Sequence, residues 1–403
     1  MSEFLQRNRG ALLATALGLL AASTFYFSTN PIHKHFDYTN RVALSLLEGH
    51  IGLTEQAPSW LNEFVPVGGR WYSVFPLGAV LANLPVALLQ KIGVVDEWPA
   101  RGLAAVLAGL SVFFFYRLSA VRDDLTEPRR ALLAVFPVFA TWAWCNLGFG
   151  GAWQIALGFA ILGQTAALYY TLVRRNPLAA GAWFALAFGN RTELLLTAPI
   201  FLALLLPRPL CELRQNWRAS LQPAIRFNAV PAALLLCTAI YNWMRFGSVA
   251  DFGYEHIPGV LSEPWYQQGL FSLSAIRWNA YEMLFRGMIE IPQFPYLRPH
   301  AFGCSIFLAS PFLFLLFRDR ARHSTACWCA IGLLTLLLWA HGNAGGWQFS
   351  YRYGMILIPW MFVVIVENGG RAISRNEGVL FAITVTINAL AMYEFLWTQL
   401  IQP

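Results

Sequence analysis

The chain has 403 residues, 57% hydrophobic, 15% aromatic and only 12% charged, where soluble globular proteins are about a quarter charged. With a mean hydropathy of +0.50 it carries more apolar surface than one soluble core can hide, and its aromatic content excludes disorder. The net charge of +7 comes from basic residues scattered between apolar runs, not from a patch interleaved with aromatics, so the expected solvent is lipid and no nucleic-acid partner is expected.

Apolar runs of membrane-crossing character lie at about 11–29, 75–93, 101–117, 131–146, 152–173, 178–206, 227–243, 301–317, 326–340, 354–367 and 378–397. The first follows Arg7 and Arg9 but lacks a small-residue cleavage site, so it reads as an anchor and not a removed signal. The 178–206 run is interrupted by Asn190-Arg191-Thr192-Glu193, and 75–93 carries Pro76, Asn83, Pro85 and Gln90.

Charge sidedness decides the topology. If 75–93 stays outside and 178–206 folds back at Asn190, 17 of the 28 basic residues face the cytoplasm and 11 the outer side; if 75–93 crosses, the split is 10 against 18. The first arrangement agrees with the positive-inside rule. It predicts an all-α polytopic membrane protein of about 10–11 transmembrane helices over 1–403, with no separate soluble domain and the N-terminus inside. A first outer loop at 30–100 holds a juxtamembrane amphipathic helix and a partly embedded one, and a second covers 244–300. The six cysteines show no C-x-x-C pair and are expected as buried packing residues, without a disulfide or a metal. The sequence gives no support for a divalent cation.

Polar groups that membrane insertion does not require concentrate on the outer side. After the first run comes HKHFDYTNR at 33–41, where Asp37 opens a helix either as an N-cap or as a general base at the interface, beside Tyr38. GRWYSVFPLG at 69–78 is a tight turn into an aromatic segment that brings Arg70 and Tyr72, and NLGFGGAWQ at 146–154 brings Trp153 and Gln154. At the break in 178–206, Arg191 and Glu193 either satisfy each other or Arg191 meets an anionic ligand, for which phosphate is the natural match. YNWMRFG at 241–247 ends in Arg245, at home near a helix C-terminus. HGNAGGWQFSYRYG at 341–354 brings His341, Trp347, Tyr351 and Arg352, the last against the charge rule.

In this order the motifs resemble the GT-C class of membrane glycosyltransferases, which use a polyprenyl-phosphate sugar as donor. The similarity spans about 30–370 and rests on the aspartate-led helix from 37 to 49, the 69–78 segment, the Asn190-Arg191-Thr192 step, the 241–247 ending and the Gly-Gly-Trp to Arg-Tyr turn at 345–353. The resemblance implies that Asp37 is the catalytic base for inverting transfer to an acceptor hydroxyl of a glycan, lipid or protein. It implies that Arg191, Arg352 and Arg245 neutralise the leaving phosphate, on the periplasmic face of a bacterial inner membrane. Tyr38, Arg70, Tyr72, Trp153, Gln154, Glu193, His341, Trp347 and Tyr351 are then expected to line the cavity.

The chain departs from the class at one place. Many members carry a second acidic residue in the outer turn that reads FGGAWQ here, which weakens a metal-dependent or two-carboxylate mechanism; Glu48, Glu55 and Glu63 are acidic alternatives within the first outer loop. The alternative function is a transporter or lipid flippase, built on broken helices with midplane charges. It calls for symmetry between halves, which the hydropathy lacks, and for charges along both sides of a pathway.

Overall fold

The computed structural model describes residues 2–30, 36–206, 217–294, 296–318, 322–398 and 401. Helix makes up 67% and strand 5%, the latter confined to two short hairpins, so the expected all-α class holds. His33, Lys34, His35 and Cys211 lie outside the described residues. Among the described cysteines, Cys145, Cys304 and Cys327 are buried as expected, whereas Cys237 and Cys329 are exposed on apolar helices.

Helix α1 (Ser2–Ser28) leads to the short α2 (Tyr38–Leu47). A hairpin of β1 (Phe64–Val67) and β2 (Arg70–Ser73) follows, paired in register Val67↔Arg70 to Phe64↔Ser73. Its two-residue turn has Gly68 and Gly69 at φ of +58° and +79°, the left-handed pair that a tight hairpin turn demands and only glycine adopts freely. Next come α3 (Leu77–Lys91), α4 (Ala100–Leu118), α5 (Glu127–Phe139), α6 (Ala143–Gly148), α7 (Ala152–Leu172) and α8 (Pro177–Asn190). Helix α8 starts where Asn176 accepts from the Ala179 amide at 3.2 Å with Pro177 in the first turn, a favoured start because both satisfy or remove free N–H groups.

Among the described residues, five helices are long and apolar enough to cross a membrane: Arg9–Ser28, Ala100–Val121, Ala152–Leu172, Leu221–Phe246 and Arg375–Leu396. Several other expected runs are shorter or broken. The 131–146 run divides into α5 and α6 around Pro137 and Thr141, whose hydroxyl turns back to the Pro137 carbonyl. The 301–317 run is a four-residue helix, Ile306–Ala309, and a 3-10 segment, Pro311–Phe317. At 15 residues, α3 spans roughly 22 Å, short of a bilayer core.

The 178–206 run breaks where the sequence placed it. Helix α8 ends at Asn190, Arg191 is extended, and a 3-10 segment, Thr192–Thr197, leads into α9 (Ala198–Leu205). The chain then returns: Phe184 packs on Phe201 at 5.1 Å between ring centroids, and Arg175, before α8, donates to the Leu204 carbonyl at 2.8 Å. The 354–367 run is built alike, with a 3-10 segment, Arg352–Leu357, leading into helix Ile358–Glu367.

Helix α7, mostly buried, is the central post. Its Gln164 accepts from Trp360 Nε1 at 3.0 Å and donates to the Ile356 carbonyl at 3.1 Å, tying the second broken run to the centre without leaving its amide unpaired. A second apolar cluster joins Tyr38, Val42, Phe64, Phe75, Val80 and Ala152 to Ile257, Val260 and Tyr266, so the first and second long loops pack together.

At the C-terminal ends of α4 and α7, Arg117 donates to the Tyr169 hydroxyl at 2.8 Å. Nearby, buried Glu377 accepts from Arg129 at 2.9 Å and Arg318 at 2.8 Å, and Arg122 donates to the Gly369 carbonyl at 2.8 Å. These arginines all belong to the set expected inside.

Candidate functional site

A second polar region draws on five parts of the chain. Asp37 stands at the N-cap position of α2 but its side chain makes no capping bond; the carboxylate pairs with Arg41 at 2.8 Å, and the residue is nearly buried. Tyr38 is fully buried, with its ring against Trp153 (5.2 Å), Phe64 (5.4 Å) and Phe75 (5.8 Å) and its hydroxyl donating to Asn62 at 3.1 Å. The start of α7 is fixed to this loop by the Ala152 amide, which donates to the Phe36 carbonyl at 2.8 Å.

Trp153 turns its indole Nε1 to Glu63 Oε2 at 2.8 Å. Burial pushes the Glu63 carboxyl up to about 7, against the pull of the Trp153 hydrogen bond and of Arg352, so it is close to half protonated at neutral pH. Tyr38 lies between two carboxylates: burial foremost, then the charges of Glu63 and Asp37, drive its hydroxyl far above the ordinary tyrosine range.

Arg191 and Arg352 meet over one ring. Their guanidinium carbons lie 5.3 and 5.1 Å from the centroid of Tyr353, and Arg352 Nη2 donates to the Tyr353 hydroxyl at 3.3 Å. Both arginines stand at the start of a 3-10 segment, and both segments pack on helix Ser324–Ala340, which is how residues so distant in sequence come together. Arg191 pairs with Glu193 at 2.6 Å, so the local pairing expected from the sequence is realised, without a capping bond from Thr192. Arg352 differs. Among the described residues no carboxylate lies within ion-pair distance of it, and its Nε is buried without a hydrogen-bond partner. A buried cationic N–H without an acceptor is a group that an anion satisfies well.

The close approach that delivers Arg191 is made by glycine. A Cβ on Gly78, at the end of the 69–78 segment, would stand 2.6 Å from the Gly189 carbonyl oxygen. The start of α3 and the end of α8 therefore touch through bare backbone, one step before Asn190 and Arg191.

His341 donates from Nδ1 to the Asn343 carbonyl at 2.8 Å and sets its ring 5.6 Å from Tyr353. Burial holds its pKa below the usual histidine value, so it is neutral here. Tyr254 and Tyr266, joined through their hydroxyls at 3.0 Å, close the site from the second loop. Neither of them carries a motif in the sequence, since both are single tyrosines in a long outer loop, whereas Tyr353 belongs to the turn at 345–353.

The other expected residues make the following contacts, and Tyr351 also sets its ring 6.1 Å from that of Tyr353. Arg245 is buried, with its guanidinium 3.9 Å from the Tyr241 centroid and hydrogen bonds to the Ser73 carbonyl and, at 2.6 Å, to Asn242, so it fastens helix Trp217–Phe246 to the hairpin. Tyr72 packs edge-on against Phe246 at 6.0 Å and Arg70 sits at the hairpin turn. Gln154 is buried under Gly151. Trp347 stacks on Phe149 at 4.4 Å, and buried Tyr351 donates to the Leu338 carbonyl at 3.1 Å. Among the described residues, no group of three His, Cys, Asp or Glu side chains is placed to hold a metal ion.

The arrangement thus offers a cationic pair for an anion, two carboxylates on either side of a buried tyrosine, and a neutral histidine at the rim. No protein-family model matches this chain, and no curated protein sequence matches it either.

Proposed function

We propose that the chain is a membrane glycosyltransferase of GT-C type. It transfers a sugar from a polyprenyl-phosphate donor to an acceptor hydroxyl on the outer face of a bacterial inner membrane. The observation that carries this reading is the convergence of Arg191 and Arg352 over Tyr353, with Arg352 lacking a carboxylate partner and holding an unpaired Nε. The donor phosphate supplies the missing negative charge and acceptor atoms.

In this reading the Asp37 carboxylate takes the proton of the acceptor hydroxyl. The acceptor oxygen forms its bond to the anomeric carbon as the bond from that carbon to the phosphate oxygen breaks. The sugar inverts, polyprenyl monophosphate leaves, and Arg191 and Arg352 stabilise its growing charge. Glu63 fills the place of the second acidic residue that the 146–154 turn lacks: it reaches that turn from the first loop, through Trp153. In its protonated form it donates a hydrogen bond to the phosphate; ionised, it competes with the phosphate for Arg352.

The topology that accompanies this function has about ten crossings, with 30–100 and 244–300 outside. The test is sugar transfer by the purified protein in liposomes with labelled polyprenyl-phosphate sugars. Turnover that is lost in Asp37→Asn supports the proposal. Movement of the intact donor across the bilayer without release of polyprenyl phosphate supports the flippase alternative instead.

A further inference from the structure

Next to the arginine pair, and separated from it by the turn at 341–346, lies a groove that the proposed chemistry does not use. It comprises two cavities of about 310 and 250 Å³ that share Trp265 and Trp278 as walls. Both indoles are about half exposed, which is unusual for side chains of that size inside a concavity.

Phe302 adds a third exposed ring to the larger cavity, and a smaller set of polar groups stands around the aromatic walls. Gln268, Ser272 and Ser274 are already joined to one another by hydroxyl-to-amide hydrogen bonds, one of them at 3.1 Å, so their orientation is set before any ligand arrives. In the larger cavity the wall includes Glu282, which is 3% exposed. One of its oxygens pairs with Arg286, while the other, Oε1, is buried with no hydrogen-bond partner. The floor is Gly345 and Gly346, and a Cβ on Gly346 would meet nothing within 4 Å, so a ligand can approach its backbone closely.

We infer that this groove is a saccharide-binding site, and that the acceptor of the proposed transfer is a glycan. The inference rests on that transferase reading only for the word acceptor. Flat aromatic faces match the apolar C–H faces of pyranose or furanose rings, and a carboxylate oxygen, amides and hydroxyls around the edge match ring hydroxyls. A membrane-anchoring belt would use the same tryptophans but has no need of an unpaired buried carboxylate oxygen, which costs free energy unless a donor arrives. The turn gives the connection to the centre: Asn343 lines the groove, while its neighbour His341 contacts Tyr353, the ring shared by the two arginines. A glycan lying on Trp265 and Trp278 thereby points one end at the reacting site.

The experiment is retention of a defined array of gluco-, manno-, galacto- and arabino-configured oligosaccharides by the full-length protein in nanodiscs, with donor turnover measured on the same preparations. The expected result is that at least one glycan is retained, and that Trp265→Ala and Trp278→Ala each weaken it at least about tenfold, as loss of a stacking platform does. Trp278→Phe, which keeps a ring, should restore part of the affinity, and Glu282→Gln should weaken it without loss of folded protein. Retention of no glycan, or retention unchanged in both alanine variants, overturns the inference, as does brominated-lipid quenching of tryptophan fluorescence that falls when Trp265 and Trp278 are replaced by phenylalanine. Donor turnover with no retained glycan defeats the groove alone, whereas tryptophan-dependent retention without any donor reaction defeats the transferase reading and leaves the groove standing.

Discussion

Trp153 Nε1 donates to Glu63 Oε2 at 2.8 Å, joining the tip of α7 to a loop that precedes it by 90 residues. The turn that carries Trp153 has no acidic residue of its own, yet the fold brings one to it. Because Trp153 also packs on Tyr38, which follows Asp37, the two carboxylates of the site are connected through two aromatic rings. This bears on the proposed reaction, in which one carboxylate must stay ionised while the other is free to change state.

The two roles separate by substitution. Asp37→Asn is expected to abolish transfer while leaving donor binding intact, because an amide cannot accept the hydroxyl proton. Glu63→Gln is expected to retain transfer with a loss of about tenfold or less, because the amide still donates a hydrogen bond. Single-turnover kinetics on both variants, with donor binding measured separately, checks this. Full activity in Asp37→Asn removes that residue from the chemistry.

The pH dependence has a definite sign. Burial raises Glu63 from 4.5 to about 7. Below that value it is neutral and Arg352 is open to phosphate; above it the carboxylate competes. Donor affinity should therefore be highest below about pH 7 and fall as pH rises through it, and Glu63→Gln should flatten the profile. The same shift is a stability statement, since a raised carboxyl contributes stability that is present below 4.5 and is lost as pH climbs to about 7. The loss is up to about 3 kcal/mol for a shift of this size, less whatever solvent reaches the group. Thermal unfolding of the wild type and Glu63→Gln at pH 5 and pH 8 measures it, with the variant ahead only at the higher pH.

Phosphate binding is expected to depend unequally on the arginines. Arg352 has no ion-pair partner, whereas Arg191 already pairs with Glu193 at 2.6 Å. Loss of a hydrogen bond to a charged group costs roughly 1.5–3 kcal/mol, so Arg352→Ala should weaken donor binding about 10- to 100-fold. Arg191→Ala should do less, because part of the hydrogen-bonding capacity of Arg191 is already committed to Glu193. Titration with a short-chain polyprenyl-phosphate sugar distinguishes the two.

The contact between Gly78 and Gly189 predicts a positional effect at a distance from the chemistry. A methyl group at Gly78 would meet the Gly189 carbonyl oxygen at 2.6 Å, so Gly78→Ala must push α3 and α8 apart and shift Arg191. Reduced donor affinity with unchanged membrane insertion is the expected outcome, whereas a Gly102→Ala control, at a position where a Cβ would meet nothing within 4 Å, should have no effect.

What was legible in the sequence follows from how costly polar groups are in an apolar background. The clusters around Asp37, Arg191 and Arg352 are legible because each interrupts long apolar runs, and Arg191 and Arg352 share the Tyr353 ring. The break at Asn190 was legible for the same reason, and Gly68-Gly69 announced a tight turn, though not the strands around it. Glu63 drew notice only as one of three loop acids, because its partner Trp153 is fixed by tertiary packing. Arg245, Trp347 and Tyr351 show the opposite case: polar or aromatic at motif positions, they are used to satisfy backbone carbonyls and to fill the interior. The 3-10 starts at Arg352 and Pro311 were hidden, since short apolar runs look alike whether their helices are continuous or broken.

The most direct test of the central claim is release of polyprenyl monophosphate from polyprenyl-phosphate sugars by the purified protein in liposomes, wild type beside Asp37→Asn. The account predicts time-dependent release by the wild type, and none by the variant although it still binds the donor. Equal release by both, or donor binding by the wild type with no release from any of the sugars in the presence of acceptor glycans, would contradict it.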